Sequence, residues 1–173
     1  MKKLLFILMG ILALTACSQK SDYEFAKYYE NLPFEMEKVQ RPSIPDYSVC
    51  LTDFGGVGDG VTSNTEAFKS AMEHLNSKGG GHLIVPSGLW FTGPIELLSN
   101  CDLHVTENAV IIFDPDRSLY PIVETVFEGL DTRRCESPLH AENAKNISIA
   151  GSGVIAGSGE AWRPVKKDKL TAG

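Results

Sequence analysis

The hydrophobic positions change their period along this chain. Tyr47, Val49 and Leu51 alternate with Ser48, Cys50 and Thr52, the two-residue repeat of a half-buried strand. Ala67, Phe68, Ala71, Met72 and Leu75 then share one face of a helix predicted over 64–77, and Gly79-Gly80-Gly81 stops it. Beyond the glycines the pattern breaks into short β segments divided by Gly, Pro or Asn. They are Leu83-Ile84-Val85, Leu89-Trp90-Phe91, Ile95 to Leu98, Leu103-His104-Val105 and Val110-Ile111-Ile112-Phe113, followed later by Asn146-Ile147-Ser148-Ile149 and Val154-Ile155. Ahead of all this, Tyr23 to Tyr29 has the pattern of one or two helical turns, and Pro33, Pro42 and Pro45 mark an extended segment.

The β segments repeat. Leu83, Val85, Leu89 and Phe91 align with Leu103, Val105, Val110 and Ile112, and Leu103, Val105 and Val110 align again with Ile147, Ile149 and Val154. The second step is forty-four residues, which reads as two coils of twenty-two. Strand-built repeats of this length indicate a solenoid, and the L-x-x-L-x-L frame of a leucine-rich repeat is absent. A β-sandwich would call for hairpin turns such as Asn-Gly, which are lacking. Residues 114–137 interrupt the repeat with Asp114-Pro115-Asp116, Tyr120-Pro121 and Thr132-Arg133-Arg134-Cys135-Glu136. They read as a long loop leaving a coil wall, where binding groups often reside.

The first strand and the helix are joined by Asp53-Phe54-Gly55-Gly56-Val57-Gly58-Asp59-Gly60-Val61-Thr62-Ser63-Asn64-Thr65-Glu66-Ala67-Phe68. Ser63 with Glu66 three residues on has the form of a capping box. A phosphate-cradling loop is the alternative reading, but no Lys-Ser/Thr pair follows the glycines and the G-x-G-x-x-G spacing fails, which favours a structural turn.

This stretch resembles the D-F-G-A-x-G-D-G-x-x-x-N-T-x-A-F motif of the pectin-degrading β-helix enzymes, most closely the polygalacturonases of glycoside hydrolase family 28. The resemblance extends over residues 32–163 through Val85-Pro86-Ser87-Gly88, Thr92-Gly93-Pro94-Ile95, Ser137-Pro138-Leu139 and Asn146 to Gly159. The chain departs from the pattern at Gly56, commonly Ala, and at Ala156, commonly Asp. The resemblance implies an all-β right-handed parallel β-helix whose N-terminal coils are closed by the helix as an α-helical cap, with the C-terminal coils missing here. The last coil would then expose apolar surface and unpaired backbone. A pectate lyase, a rhamnogalacturonan hydrolase and a non-enzymatic glycan-binding lipoprotein are the other readings compatible with the motif.

Family members hydrolyse α-linked galacturonan with inversion, which needs one carboxylic acid to protonate the leaving oxygen and one carboxylate to activate water. The resemblance places that chemistry on Asn-Thr-Asp, Asp-Asp, Gly-His-Gly and Arg-x-Lys motifs, and this chain has none of them. Asn64-Thr65-Glu66 mimics the first but opens the helix. No catalytic residue is therefore assigned, and the chain alone is expected to be inactive. Arg133, Arg134 and Tyr120 are the candidates for contact with a uronate, arginine offering a two-pronged match to carboxylate; solvated arginines on a packed loop are the alternative. His74, His82, His104 and His140 lack metal-ligand spacing, and no cofactor motif occurs.

The amino terminus adds a location. Lys2 and Lys3 precede an apolar run from Leu4 to Leu14, and Leu14-Thr15-Ala16-Cys17 resembles a bacterial lipobox. The expected organisation is a signal peptide over 1–16, a lipidated Cys17 opening a tether over 17–46, and the N-terminal part of a β-helix domain over 47–173. That predicts a cell-envelope protein held to the outer membrane by lipid. Removing Lys2 and Lys3 takes the net charge from −6 to −8, which disfavours nucleic acid and makes binding of galacturonan depend on local basic groups. Cys50, Cys101 and Cys135 match no zinc pattern. One disulfide is compatible with export, while packed thiols suit a buried core. The basic run Arg163, Lys166, Lys167 and Lys169 reads as solvated.

Overall fold

The computed structural model describes residues 26–162, which belong to two compact units divided along the chain between Arg41 and Pro42. The signal region, Cys17, Tyr23 and the basic run from Arg163 lie outside the described residues. In the first unit a single turn closes through Tyr29 N–H to Ala26 O (2.9 Å), and Val39 N–H donates to the Tyr29 hydroxyl (2.8 Å). The rest of its described residues carry no regular secondary structure. No helix among the described residues is long and apolar enough to cross a membrane.

The second unit begins with β1 (Ser48–Cys50), a 3-10 turn (Leu51–Phe54) and α1 (Thr65–Ser77). It continues as β2 (Gly81–Val85), β3 (Gly88–Thr92), β4 (Ile95–Glu96), β5 (Cys101–Val105) and β6 (Ala109–Phe113). After a 3-10 turn at Arg117–Leu119 come β7 (Ile122–Phe127), β8 (Leu130–Cys135) and β9 (Leu139–His140). The described chain ends with β10 (Ser148–Gly151), β11 (Val154–Ala156) and the short α2 (Gly159–Trp162).

The strands stack in parallel. One sheet runs β1-β2-β5-β10, a second β3-β6-β11, and β4 pairs with β9. The sequence repeat is the hydrogen-bond register: Leu83 pairs with Leu103, Val85 with Val105, Leu89 with Val110 and Phe91 with Ile112. Two features of the repeat are corrected. β10 lies directly on β5, so the forty-four-residue step is one long turn rather than two coils. Leu103 and Val105 also meet Ile149 and Gly151 instead of Ile147 and Ile149, while Val110 does meet Val154. The interior side of the second sheet is the other surprise. Trp90, Thr92, Ile111 and Phe113 are buried, whereas Leu89 is 46% exposed. The run Leu89-Trp90-Phe91 is apolar on both faces, so alternation alone could not choose.

The extra length of the long turn is a β-hairpin. β7 and β8 pair antiparallel from Ile122–Cys135 to Phe127–Leu130, joined by Glu128 (φ 53) and Gly129 (φ 79). Two successive positive φ values make this the tight turn whose twist matches a hairpin. The segment expected as a long loop leaving a coil wall thus contains an ordered hairpin, which went unread because Glu-Gly is a rarer turn pair than Asn-Gly.

α1 forms as predicted, with Ala67, Phe68, Ala71, Met72 and Leu75 buried in the same apolar cluster as Leu51, Leu83, Leu103 and Ile111. Its start differs. The Ser63–Glu66 capping box is not made: Asn64 precedes the helix, and Ser63 Oγ lies 3.2 Å from Thr65 Oγ1. The Asn64 side chain instead turns back into the glycine-rich loop. It accepts from Val57 N–H (2.7 Å) and donates to the carbonyls of Val57, Thr62 and Phe91. The loop itself runs beside β3, with Gly60 N–H on Leu89 O (2.8 Å) and Leu89 N–H on Gly58 O (3.1 Å). A Cβ at Gly58 would sit 3.1 Å from the Trp90 ring, so that glycine makes room for the largest core side chain.

Asp59 closes the next turn, accepting from Val61 N–H, Thr62 N–H and the Thr62 hydroxyl. The Thr62 backbone and side-chain bonds, then that from Val61, hold its carboxyl below the usual carboxylate value. A depressed folded-state value means the contribution is present above the unfolded value near about pH 4 and is lost as pH falls through the folded one. Asp59→Ala should therefore lower the melting temperature slightly at neutral pH, with the gap to wild type closing in acid, as thermal melts across pH would register.

At the far end of the stack, β10 and β11 are edge strands. Ile149 and Ile155 pair with the fully buried Leu103 and Ile111 yet are 51% and 38% exposed. These are core-facing positions with no further strand over them among the described residues.

Candidate functional site

Two polar constellations stand out, and the second lines an open cleft. The first follows from the parallel register. His82 on β2, Asp102 on β5 and Ser148 on β10 are aligned neighbours across three strands. His82 Nδ1 is 2.9 Å from Asp102 Oδ2, the Ser148 hydroxyl donates to Oδ1, and His104 Nδ1 lies 3.7 Å away. Asp102 is only 2% exposed. A carboxylate is costly to bury unless it is hydrogen-bonded and paired, and these neighbours supply the partners. The serine reaches the aspartate and not the imidazole, so the order needed to activate a nucleophile is absent. Sequence reading treated the histidines separately. The available signal was that His82 and Asp102 occupy equivalent places one repeat apart.

The other histidines have structural partners. His74 Nε2 is 3.0 Å from the Tyr47 hydroxyl, and His140 Nε2 is 3.5 Å from Glu136. Among the described residues no group of three or more His, Cys, Asp or Glu is placed to hold a metal ion. Cys50, Cys101 and Cys135 are free thiols, and burial pushes that of Cys101 up.

The second constellation is an open cleft of about 780 Å³ beside the β7–β8 hairpin. Arg117, Arg133, Arg134 and Trp162 line it, with Ile122, Val123 and Glu136 among the remaining walls. Arg133 and Arg134, adjacent in β8, point to opposite faces of the two-stranded ribbon. Arg134 lies over the Phe127 ring, 4.2 Å from its centroid. Arg117 comes from the 3-10 turn before the hairpin. Its guanidinium donates to Ala161 O and lies 5.9 Å from the Trp162 ring centroid.

Tyr120 does not line the cleft. It is 2% exposed, its hydroxyl donates to Asp114 O (2.7 Å), and its ring meets Trp162 edge to face at 4.9 Å. Burial and the nearby Asp114 charge push the phenol up to about 12. Its place is behind the indole, which it fixes in position. Of the three residues singled out from sequence, the fold thus brings Arg133 and Arg134 to one cleft and leaves Tyr120 beneath it. Arg117 and Trp162 were missed because forty-five positions of chain separate them.

The chain's homologues are polygalacturonases. It is 38% identical over 125 residues to a probable polygalacturonase of Vitis vinifera, covering 67% of this chain and 26% of that protein. It is 30% identical over 128 residues to an exo-poly-α-D-galacturonosidase of Dickeya chrysanthemi, covering 69% and 21%. Among solved structures it is similar to a hyperthermoactive exopolygalacturonase from Thermotoga maritima, with a TM-score of 0.66 and 48% identity, covering 69% of this chain and 27% of that one. The structural neighbours are right-handed β-helix proteins. The chain spans about a quarter of the length of the relatives it matches. No family model matches it.

Proposed function

We propose that residues 47–173 belong to the N-terminal turns of a right-handed parallel β-helix of a polygalacturonase-like glycoside hydrolase acting on pectic galacturonan. In this reading α1 closes the first turn, where its apolar face joins the core and shields strand edges from pairing with other chains. Residues 1–16 are a signal peptide, lipidated Cys17 anchors the chain to the outer membrane of the cell envelope, and residues 17–46 are the tether. The observation that carries the reading is the register. In-register pairing of Leu83 with Leu103 and Leu89 with Val110 builds parallel turns, in a chain 48% identical to an exopolygalacturonase of known structure.

No residue of the chain is given a catalytic role. The inverting reaction needs two opposed carboxyl groups about 6.5–9.5 Å apart with room for water between them, and the arginine-lined cleft holds a single carboxylate, Glu136. The purified chain is expected to bind polygalacturonate in affinity electrophoresis while releasing no reducing sugar from it. Release of galacturonic acid would overturn the assignment of no catalytic residue, and failure to bind would overturn the pectic reading.

A further inference from the structure

Resting on that pectic reading, we infer that the cleft beside the β7–β8 hairpin is a carboxylate-reading subsite, taking a free-acid uronate and rejecting its methyl ester. Arg134 is its principal contact and Arg117 its second.

Charge balance is the first argument. The chain is acidic, with net charge −6, yet three arginines line the cleft against one carboxylate, Glu136, which already lies 3.5 Å from His140. Every ion pair between described residues involves a histidine, so none of the three arginines has a carboxylate within 4.0 Å among them. Unpaired guanidinium groups facing a cleft are suited to an anionic ligand.

Geometry separates the three arginines. In the ribbon Arg133 sits directly opposite Glu124, with Asp131 on the same face, so two carboxylates compete with any anion it would bind. Arg134 is opposite Val123, and its nearest neighbours along that face are Thr125 and Thr132. The Phe127 ring lies under its guanidinium, and this stacking limits the orientations the group must lose on binding. Arg117 is held similarly, by its bond to Ala161 O and by the Trp162 ring. One of its five N–H donors is used there, leaving the others for a ligand.

The walls suit a sugar. Trp162 offers an aromatic surface fixed from behind by Tyr120, and the cleft volume of about 780 Å³ lies within the range of sites that hold small ligands, about 300–1,000 Å³. A guanidinium fork matches the two oxygens of a carboxylate with two parallel charge-assisted bonds. Methyl esterification removes the charge and one of those acceptors.

Affinity electrophoresis of the full chain through gels containing fully de-esterified polygalacturonate or highly methyl-esterified pectin tests this. Wild type should be retarded by the former and little by the latter. Arg134→Gln should weaken retardation at least tenfold, and Arg134→Lys, which keeps the charge without the fork, should fall between. Lys145→Gln, a distant loss of the same charge, should match wild type. Circular dichroism confirms folding of each variant, and Arg134 is exposed, so the fold does not rest on it. Equal retardation by both polymers overturns the carboxylate selectivity. Arg134→Gln behaving like Lys145→Gln overturns the subsite while leaving the pectic reading intact. A wild-type chain that neither polymer retards overturns both.

Discussion

Gly81→Ala is expected to destabilise the second unit by about 4 kcal/mol (range about 2–6), more than the same change two residues earlier. Gly79, Gly80 and Gly81 carry the chain from α1 into β2, all at positive φ (92°, 119° and 145°). At Gly81 a Cβ would stand 2.3 Å from the carbonyl oxygen of Tyr47 and 3.1 Å from Leu75 Cδ2. That oxygen cannot retreat cheaply, because it accepts the His82 N–H at 2.7 Å in the first link of the parallel stack. Backbone strain of about 1–3 kcal/mol therefore adds to an overpacking cost of about 1–3 kcal/mol. Gly79 has nothing within 4 Å of the same position. Gly79→Ala should cost only the conformational term, about 1–2 kcal/mol. Urea unfolding followed by circular dichroism measures both. Costs within 1 kcal/mol of each other would show that contact with the preceding turn is not what requires glycine at position 81.

The glycine run also marks how far the fold was legible. Strand positions in β2, β3, β5 and β6 and the buried face of α1 followed from periodicity, because the buried residues there other than Asp102 obey the local repeat of their own element. The β5–β10 register did not, since Gly151 stands where an apolar residue was sought and the hairpin lengthens that turn. The interior face of β3 was hidden because Leu89-Trp90-Phe91 is apolar on both faces, and the structure buries Trp90 and Thr92 and leaves Leu89 exposed. In the cleft, Arg133 and Arg134 were visible as adjacent cations in an interrupting segment. Their difference in electrostatic surroundings depends on cross-strand neighbours, Glu124 opposite one and Val123 opposite the other, and no local pattern encodes that pairing. For Asp102 the repeat offered one partner, His82, twenty positions away, but Ser148 on β10, forty-six positions away, lay beyond the misjudged register.

Asn64 is where the glycine-rich loop, α1 and β3 are tied together, and its substitutions should separate hydrogen-bond loss from charge. The side chain is 1% exposed, with one oxygen accepting from Val57 and one amide group shared among the carbonyls of Val57, Thr62 and Phe91. Asn64→Ala leaves Val57 N–H and the carbonyls of Val57 and Thr62 without this partner, while the Phe91 carbonyl keeps the N–H of residue 64 (2.9 Å), at a cost of about 3 kcal/mol when each orphaned group costs about 1–3. Asn64→Asp keeps the acceptor for Val57 but sets its second oxygen against three carbonyl oxygens, with no cation among the hydrogen-bonding partners. At neutral pH it should therefore be worse than alanine, by about 1–2 kcal/mol. Its sign with pH is the sharper test. Burial among carbonyl dipoles raises the folded-state value of the new carboxyl above the unfolded value of about 4, so the native state binds more protons than the unfolded one. Stability is then greatest below the unfolded value and is lost as pH rises through the folded one. In acid the protonated group also regains one donor for a carbonyl. Urea titrations should thus find Asn64→Asp drawing closer to wild type as pH is lowered from 7 to 5, while the deficit of Asn64→Ala stays constant. A constant deficit for the aspartate variant would mean that the loop opens to admit water around residue 64, and that the glycine-rich segment is held by its backbone contacts to β3 rather than by this side chain.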